Sequence, residues 1–247
     1  MAGPDYLETP QGRRLAYHLH HGTEPIVVFL GGLRSDMEGT KALYLEDWAA
    51  STGRAFLRFD YSGHGQSSGR FLDGAIGDWA EDTAAVLAEL VKVPFVLVGS
   101  SMGGWQALLA ARSQPQRVVG LVIIAAAPDF TEDGYWARFS EAEKAQVMET
   151  GQIALPSEYG EDMIVTRRLI EDGRQNLVLR TPLLLRMPVR MLQGTADTAV
   201  TTDVALRLLD HIEGENTRLT LVKDADHRFS TPDCLEMIRN AIEEVIA

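Results

Sequence analysis

The sequence predicts an α/β fold: a mostly parallel central sheet flanked by helices, with a helical cap inserted late in the chain. Three observations carry this expectation. Continuous apolar runs at 26–30, 93–98 and 118–127 read as strands buried on both faces, which is the habit of parallel sheets. Segments with a single apolar helical face lie between them, and that alternation implies right-handed crossovers. Finally, about fifty residues after Ala127 show no strand pattern, which is too long for a structureless loop in a compact domain.

Taken in order, residues 14–20 alternate apolar and polar side chains, as an edge strand with one exposed face would. The run 26–30 ends in Gly31-Gly32 and reads as a central strand entering a tight loop. Residues 38–50 carry Leu43, Leu45, Trp48 and Ala49 at helical spacing, with Gly53 as a stop. A strand at 55–59 leads into the loop Asp60-Tyr61-Ser62-Gly63-His64-Gly65-Gln66-Ser67, and 76–91 is again helical on one face.

The strand at 93–98 and the helix at 104–112 flank Gly99-Ser100-Ser101-Met102-Gly103. Beyond 118–127, the stretch 129–186 is helical in pieces, at 141–150 and 162–172, broken by Gly151, Pro156 and Gly160. A strand resumes at 189–194, followed by a helix at 202–209, a strand at 217–222 and an amphipathic helix at 233–246. One domain over 1–247, with 129–186 as its cap, accounts for all of it.

Composition narrows the function. Apolar residues make up 45% and charged residues 23% of the 247, ordinary values for a globular chain. The formal charge of −12 argues against nucleic acid or an anionic membrane surface, which require clustered Lys and Arg. Cys234 is the one cysteine, so no disulfide framework within the chain is possible and a reducing compartment fits. No Cys/His spacing suggests a metal site. The first eight residues lack a basic segment followed by an apolar core, and no apolar run approaches a membrane span. These features lead us to expect a soluble cytoplasmic protein.

The chemistry centres on the G-x-S-x-G segment at 99–103. A serine at a sharp strand-to-helix turn is held in a strained backbone with its hydroxyl projecting from the sheet edge. The helix start behind it offers free N–H groups and partial positive charge to an anionic intermediate. Met102 N–H is therefore an expected oxyanion donor. A second match, Gly65-Gln66-Ser67-Ser68-Gly69, follows its strand only at a distance and leads into a turn at Asp73-Gly74, so Ser67 and Ser68 read as loop residues.

A serine hydroxyl needs a base, and the base needs an orienting acid. The chain order expected on this architecture is serine, acid, histidine, each on a loop leaving a strand. Ser101, Asp197 and His227 meet that order. Of the six histidines, only His227 lies between the last strand and the last helix. Asp129, after the preceding strand, is the substitute for Asp197, and Asp226 adjoins the histidine. The second oxyanion donor is expected from the loop after Leu30: Leu33 N–H, with Gly32 as the neighbouring alternative.

These residues resemble the α/β-hydrolase superfamily across nearly the whole chain. Phe29-Leu30-Gly31-Gly32-Leu33, Arg58-Phe59-Asp60-Tyr61-Ser62-Gly63, Val98-Gly99-Ser100-Ser101-Met102-Gly103-Gly104-Trp105 and Asp226-His227-Arg228 look like the branch of mitochondrial palmitoyl-protein thioesterases and acyl-glucuronide esterases. The resemblance implies a triad of Ser101, Asp197 and His227 that hydrolyses carboxylic esters or acyl thioesters without a cofactor. The partner would be a small acyl ester or thioester, or an S-acylated protein. The short N-terminus looks like a bacterial-type relative.

Phe130, Tyr135, Trp136 and Phe139 line an acyl pocket or form ordinary cap core. Two other readings use the same fold: C–C bond hydrolysis or cofactor-free perhydrolysis on the same triad, and a non-catalytic binding module.

Overall fold

The computed structural model describes residues 3–156 and 162–247. The apolar runs become strands and the one-faced segments become helices. In chain order these are β1 (Asp5–Glu8), β2 (Arg14–His20), β3 (Thr23–Leu30), α1 (Thr40–Thr52), β4 (Arg54–Phe59), α2 (Ile76–Glu89), β5 (Phe95–Ser100), α3 (Met102–Ser113) and β6 (Val118–Ile124). There follow α4 (Glu141–Thr150), β7 (Gln152–Leu155), β8 (Met163–Thr166), α5 (Arg167–Gly173), β9 (Leu183–Leu184) and β10 (Val189–Gly194). The chain ends with α6 (Thr202–His211), β11 (Ile212–Glu213), β12 (Thr217–Val222) and α7 (Pro232–Ile246).

Eight strands form one sheet in the order β1-β2-β4-β3-β5-β6-β10-β12. From β4 to β12 the pairings are parallel, with Val28 beside Leu97, Leu97 beside Leu121 and Leu121 beside Val189. β1 and β2 are antiparallel additions. The fold is thus the α/β-hydrolase fold expected from the sequence, with one correction at its margin. β2 is not the edge: Asp5–Glu8 pairs outside it. Four residues with charged ends carry too little alternation to signal a strand, and a short charged strand is what protects a sheet edge.

Successive strand residues point to opposite faces, and the core divides accordingly. Val28, Leu97, Leu121 and Met191 pack with α2 and α3, whereas Val27, Val96, Val98 and Ile124 pack with α1 and α7. Strand ends at Leu30, Ser100, Ile124 and Gly194 fall at one margin of the sheet because the strands are parallel and in register. Every loop that carries candidate chemistry leaves from that margin.

The segment between β6 and β10 differs from its expected all-helical character. β7 and β8 form an antiparallel hairpin, with Ile153 paired to Val165, so 162–172 is a strand followed by α5 rather than one helix. The run Ile164-Val165-Thr166 is β-branched and therefore resists helix. Thr166 then caps α5, its hydroxyl accepting from Leu169 N–H at 3.1 Å. Gly160, read as a break from sequence, lies outside the described residues. The two-residue strand β9, near the end of this segment, pairs with β11, which follows α6. Val147, Ile153, Val165 and Ile170 are buried in the same cluster as the sheet's α2/α3 face.

Charged groups tie this segment down. Asp133 accepts from Arg180 and, at 2.7 Å, from Arg207 of α6. Burial pushes the Asp133 carboxyl up, but the hydrogen bonds from Arg180 and Arg207 outweigh it and hold the group below its ordinary value. A carboxyl lowered in the fold stabilises above its unfolded pKa, and that contribution is lost as pH falls through the folded value. The melting temperature of Asp133→Asn is therefore expected to lie below wild type at pH 7 and to converge on it as the pH drops below about 3.9. Thermal unfolding of both chains across pH checks this.

Candidate active site

β5 delivers Ser101 to a turn with φ 56° and ψ −118°, a conformation that costs a non-glycine residue about 1–3 kcal/mol and needs its surroundings to enforce it. Ser101 N–H donates to Ile124 O at 2.9 Å, and its carbonyl accepts from Gly104 at 2.9 Å and Ala127 at 3.1 Å. The two glycines of the pentapeptide permit the turn by close approach. A Cβ on Gly99 would stand 2.3 Å from Gly103 O, and one on Gly103 would stand 2.0 Å from Leu30 O.

Asp197 and His227 reach the serine from the loops after β10 and β12, on the far side of β6. His227 Nε2 lies 3.1 Å from Ser101 Oγ, and Nδ1 lies 2.8 Å from Asp197 Oδ2. An ionised carboxylate only accepts, so Nδ1 carries the proton and Nε2 is left to accept from the serine hydroxyl. Asp197 is held in turn: its Oδ1 accepts from Ala199 N–H at 2.9 Å and Val200 N–H at 2.8 Å, and Oδ2 accepts from Gln193 Nε2 at 3.1 Å. Burial pushes the Asp197 carboxyl up, but the hydrogen bonds from His227, Val200 and Gln193 bring it below its ordinary value. At neutral pH it is therefore ionised.

Met102 begins α3 directly after Ser101 and is fully buried. Across from it, a Cβ on Gly32 would stand 3.4 Å from Ser101 Cβ and 3.6 Å from Ser35 Oγ. The loop carrying Gly32 and Leu33 thus crosses immediately over the serine. The same loop forms one wall of a cavity of about 390 Å³, whose other walls come from Gly63–Gly65, Phe71 and the β8 side at Asp162 and Ile164. Ser101 is not among the lining residues of that cavity; Gly32 lies beside both Ser101 and Ser35, and Ser35 is a lining residue.

The pattern of the alpha/beta hydrolase family matches residues 27–234. The chain belongs to that family. It is 32% identical to the mitochondrial palmitoyl-protein thioesterase ABHD10 of Bos taurus, over 98% of this chain and 79% of the relative. Identity to the Mus musculus protein of that name is 33%, over 99% and 83%. Among solved structures, a protein from Agrobacterium vitis S4 superposes with a TM-score of 0.95 at 42% identity, covering 99% of this chain and 98% of that one. Mouse alpha/beta hydrolase domain-containing protein 10 gives 0.93 at 31% identity, over 99% and 98%. The resemblance read from the motifs to the thioesterase branch therefore holds along the chain.

In this alpha/beta hydrolase the remaining sequence candidates lie elsewhere. Ser67 Oγ accepts from Ala16 N–H at 2.9 Å and donates to Asp60 O at 2.6 Å, while Ser68 Oγ accepts from Arg14 N–H at 2.8 Å, so both are loop fasteners. Asp129 is fully buried and accepts from Val178 N–H at 2.8 Å, Leu179 N–H at 3.0 Å and Arg180 at 3.1 Å. Its oxygens are occupied by the returning end of the inserted segment. Asp226 accepts from Phe229 N–H at 3.1 Å within its own turn. His64 is buried edge-on among Tyr61, Phe71 and Trp79, and burial pulls its pKa down although Ser62 O accepts from the ring.

Phe130 packs edge-on to Trp105 and to Tyr135, and Tyr135 stacks on Phe139, with centroids 5.6, 5.5 and 6.4 Å apart. These rings continue the core into the inserted segment, and they are not walls of the large cavity. Two supporting residues were missed from sequence. Asp60 accepts from Met37 N–H at 2.7 Å and Gln66 N–H at 2.8 Å, joining the two loops that wall the cavity. Gln193 is nearly fully buried beside Asp197, and an amide directly after Met191-Leu192 at the strand's end is the available signal.

Among the described residues, no helix is long and apolar enough to cross a membrane.

Proposed function

We propose that the protein is a serine hydrolase that cleaves carboxylic esters or acyl thioesters through an acyl-enzyme. The observation that carries this reading is the unbroken chain from Asp197 through His227 to Ser101, at 2.8 and 3.1 Å. Relatives named as palmitoyl-protein thioesterases over nearly the full length support the choice of bond.

In this mechanism His227 Nε2 takes the proton from Ser101 Oγ as the oxygen attacks the acyl carbon. Asp197 holds the imidazole in the right tautomer and stabilises its charged form. The developing oxyanion meets the N–H groups of Met102 and Leu33, reinforced by the α3 N-terminus. His227 then protonates the departing alkoxide or thiolate, and afterwards activates water to release the acid. Residues 129–186 act as a cap over this chemistry, and the cavity bounded by Ser35 and Phe71 takes the substrate portion next to the scissile bond. The substrate is a small acyl ester or thioester, or an S-acylated protein. The buried thiol of Cys234 suits a reducing compartment, the cytosol in this reading, while the named relatives are mitochondrial proteins.

Initial rates on matched ester and thioester series, from acetyl to palmitoyl, test the proposal with wild type and Ser101→Ala. Hydrolysis of both bond types that disappears in the variant is expected. A rise toward long-chain thioesters would make the protein depalmitoylase-like, and activity confined to short esters would make it a small-molecule carboxylesterase. Hydrolysis that survives in Ser101→Ala defeats the reading.

A further inference from the structure

Lys41 is badly placed for stability. It stands in the first turn of α1, where a cation faces the positive end of the helix dipole. Its side chain is also half-buried. Burial is the largest influence on the ammonium and pushes it down to about 8; Asp226 partly restores it, Arg228 lowers it further and Cys234 restores it a little. A local choice that opposes the fold in two ways marks a place where something other than stability is served.

What Lys41 touches supplies the reason. Its ammonium donates to the carbonyl of Arg228, the residue after His227. The turn there is demanding: Phe229 has φ 49°, and its N–H donates to Asp226 Oδ1 at 3.1 Å and Asp226 O at 3.2 Å. A left-handed phenylalanine persists only if its surroundings over-determine it. The Phe229 ring is fully buried with α1 and α7 side chains, Asp226 holds the Phe229 amide, and Lys41 holds the peptide plane between Arg228 and Phe229. α1 itself continues from the loop carrying Gly32 and Leu33, so Lys41 connects the loop above the serine to the turn that carries the histidine.

We propose that Lys41 is a positioning residue that keeps the His227 turn in register with Ser101 and Asp197. The inference rests on the serine-hydrolase reading above. Lys41 acts through the Arg228 carbonyl and makes no contact with substrate. Its removal lets the turn relax, and a misplacement of about 1 Å at a reacting group costs about 10²-fold in rate.

The test compares wild type, Lys41→Met, Lys41→Arg and His227→Ala in ester kinetics, fluorophosphonate labelling of Ser101 and thermal unfolding. In Lys41→Met, kcat and the labelling rate are expected to fall about 10²-fold with KM changed less than about threefold. Its melting temperature is expected to equal or exceed that of wild type, because an ill-placed charge has been removed. Lys41→Arg, which keeps a charged donor, recovers at least about a third of the wild-type rate.

A folded Lys41→Met chain with wild-type kcat overturns the proposal. So does a Lys41→Met chain that cannot fold, since Lys41 would then be needed for stability. Failure of the arginine rescue assigns the loss to packing and overturns it as well. A wild type inert to the fluorophosphonate defeats the serine reading itself, an outcome distinct from a reactive wild type matched by Lys41→Met.

Discussion

Replacing Ser101 by alanine is expected to lower kcat by about 10⁴-fold or more, and His227→Ala by a similar factor. The two losses are not expected to add. Ser101 Oγ and His227 Nε2 are 3.1 Å apart, and in the proposed mechanism they act as one unit, since a base without its nucleophile and a nucleophile without its base are equally idle. The double variant should therefore be about as slow as either single one. Ser67→Ala is the matched control, because it lies in a second G-x-S-x-G segment. Its hydroxyl bridges Ala16 N–H and Asp60 O, so its loss is expected to cost about 1 kcal/mol of stability and leave kcat within a few-fold. Steady-state kinetics and urea unfolding of the four chains decide the matter. Multiplicative losses in the double variant would mean that the two residues work independently and that the hydrogen bond between them is incidental.

The two matching pentapeptides show why part of the candidate site was legible in the sequence. A five-residue pattern has little content alone. An apolar run ending directly at Gly99 and a helix-forming run over 104–112 just after the pentapeptide have a great deal, because together they dictate a strand-to-helix turn. The same logic made His227 readable, as the histidine between the last strand and the last helix. The fold was legible for a related reason: strands buried on both faces leave short continuous apolar runs such as 95–98 and 121–124, whose β-branched and aromatic content distinguishes them from the Ala/Leu-rich run of the buried helix α3.

Elements too short to show a period were not legible. β1, β7 and β8 have four residues each, and a period of two is barely expressed over that length. β9 and β11 have two. Interactions between distant loops were hidden as well. Nothing in the sequence around Lys41 indicates Arg228 O, and nothing around Asp60 indicates that one carboxylate spans Met37 and Gln66. Such pairings exist only once parallel strands have brought their exits to one margin of the sheet.

The choice between Asp197 and Asp129 is the sharpest case, since both follow strands and only their partners differ. Asp197→Asn is expected to lower kcat by about 10⁴-fold, because the amide nitrogen would face His227 Nδ1 and favour the wrong tautomer. Folding should suffer less, since the amide oxygen can still accept from Ala199 and Val200. Asp129→Asn should behave in the opposite way. Its two carboxylate oxygens serve two backbone N–H groups and Arg180, so one amide nitrogen would be left facing donors. Losing hydrogen bonds to a buried charged carboxylate costs about 1.5–3 kcal/mol, which should appear as a lower urea midpoint with kcat within a few-fold of wild type. Burial already pushes the Asp129 carboxyl up, against the pull of the Val178 and Leu179 amides, so this site depends on all its donors. Measured together, kcat and urea midpoint separate the two roles: a slow but stable Asp129→Asn beside a fully active Asp197→Asn would transfer the acid to Asp129 and break the proposed relay at its first link.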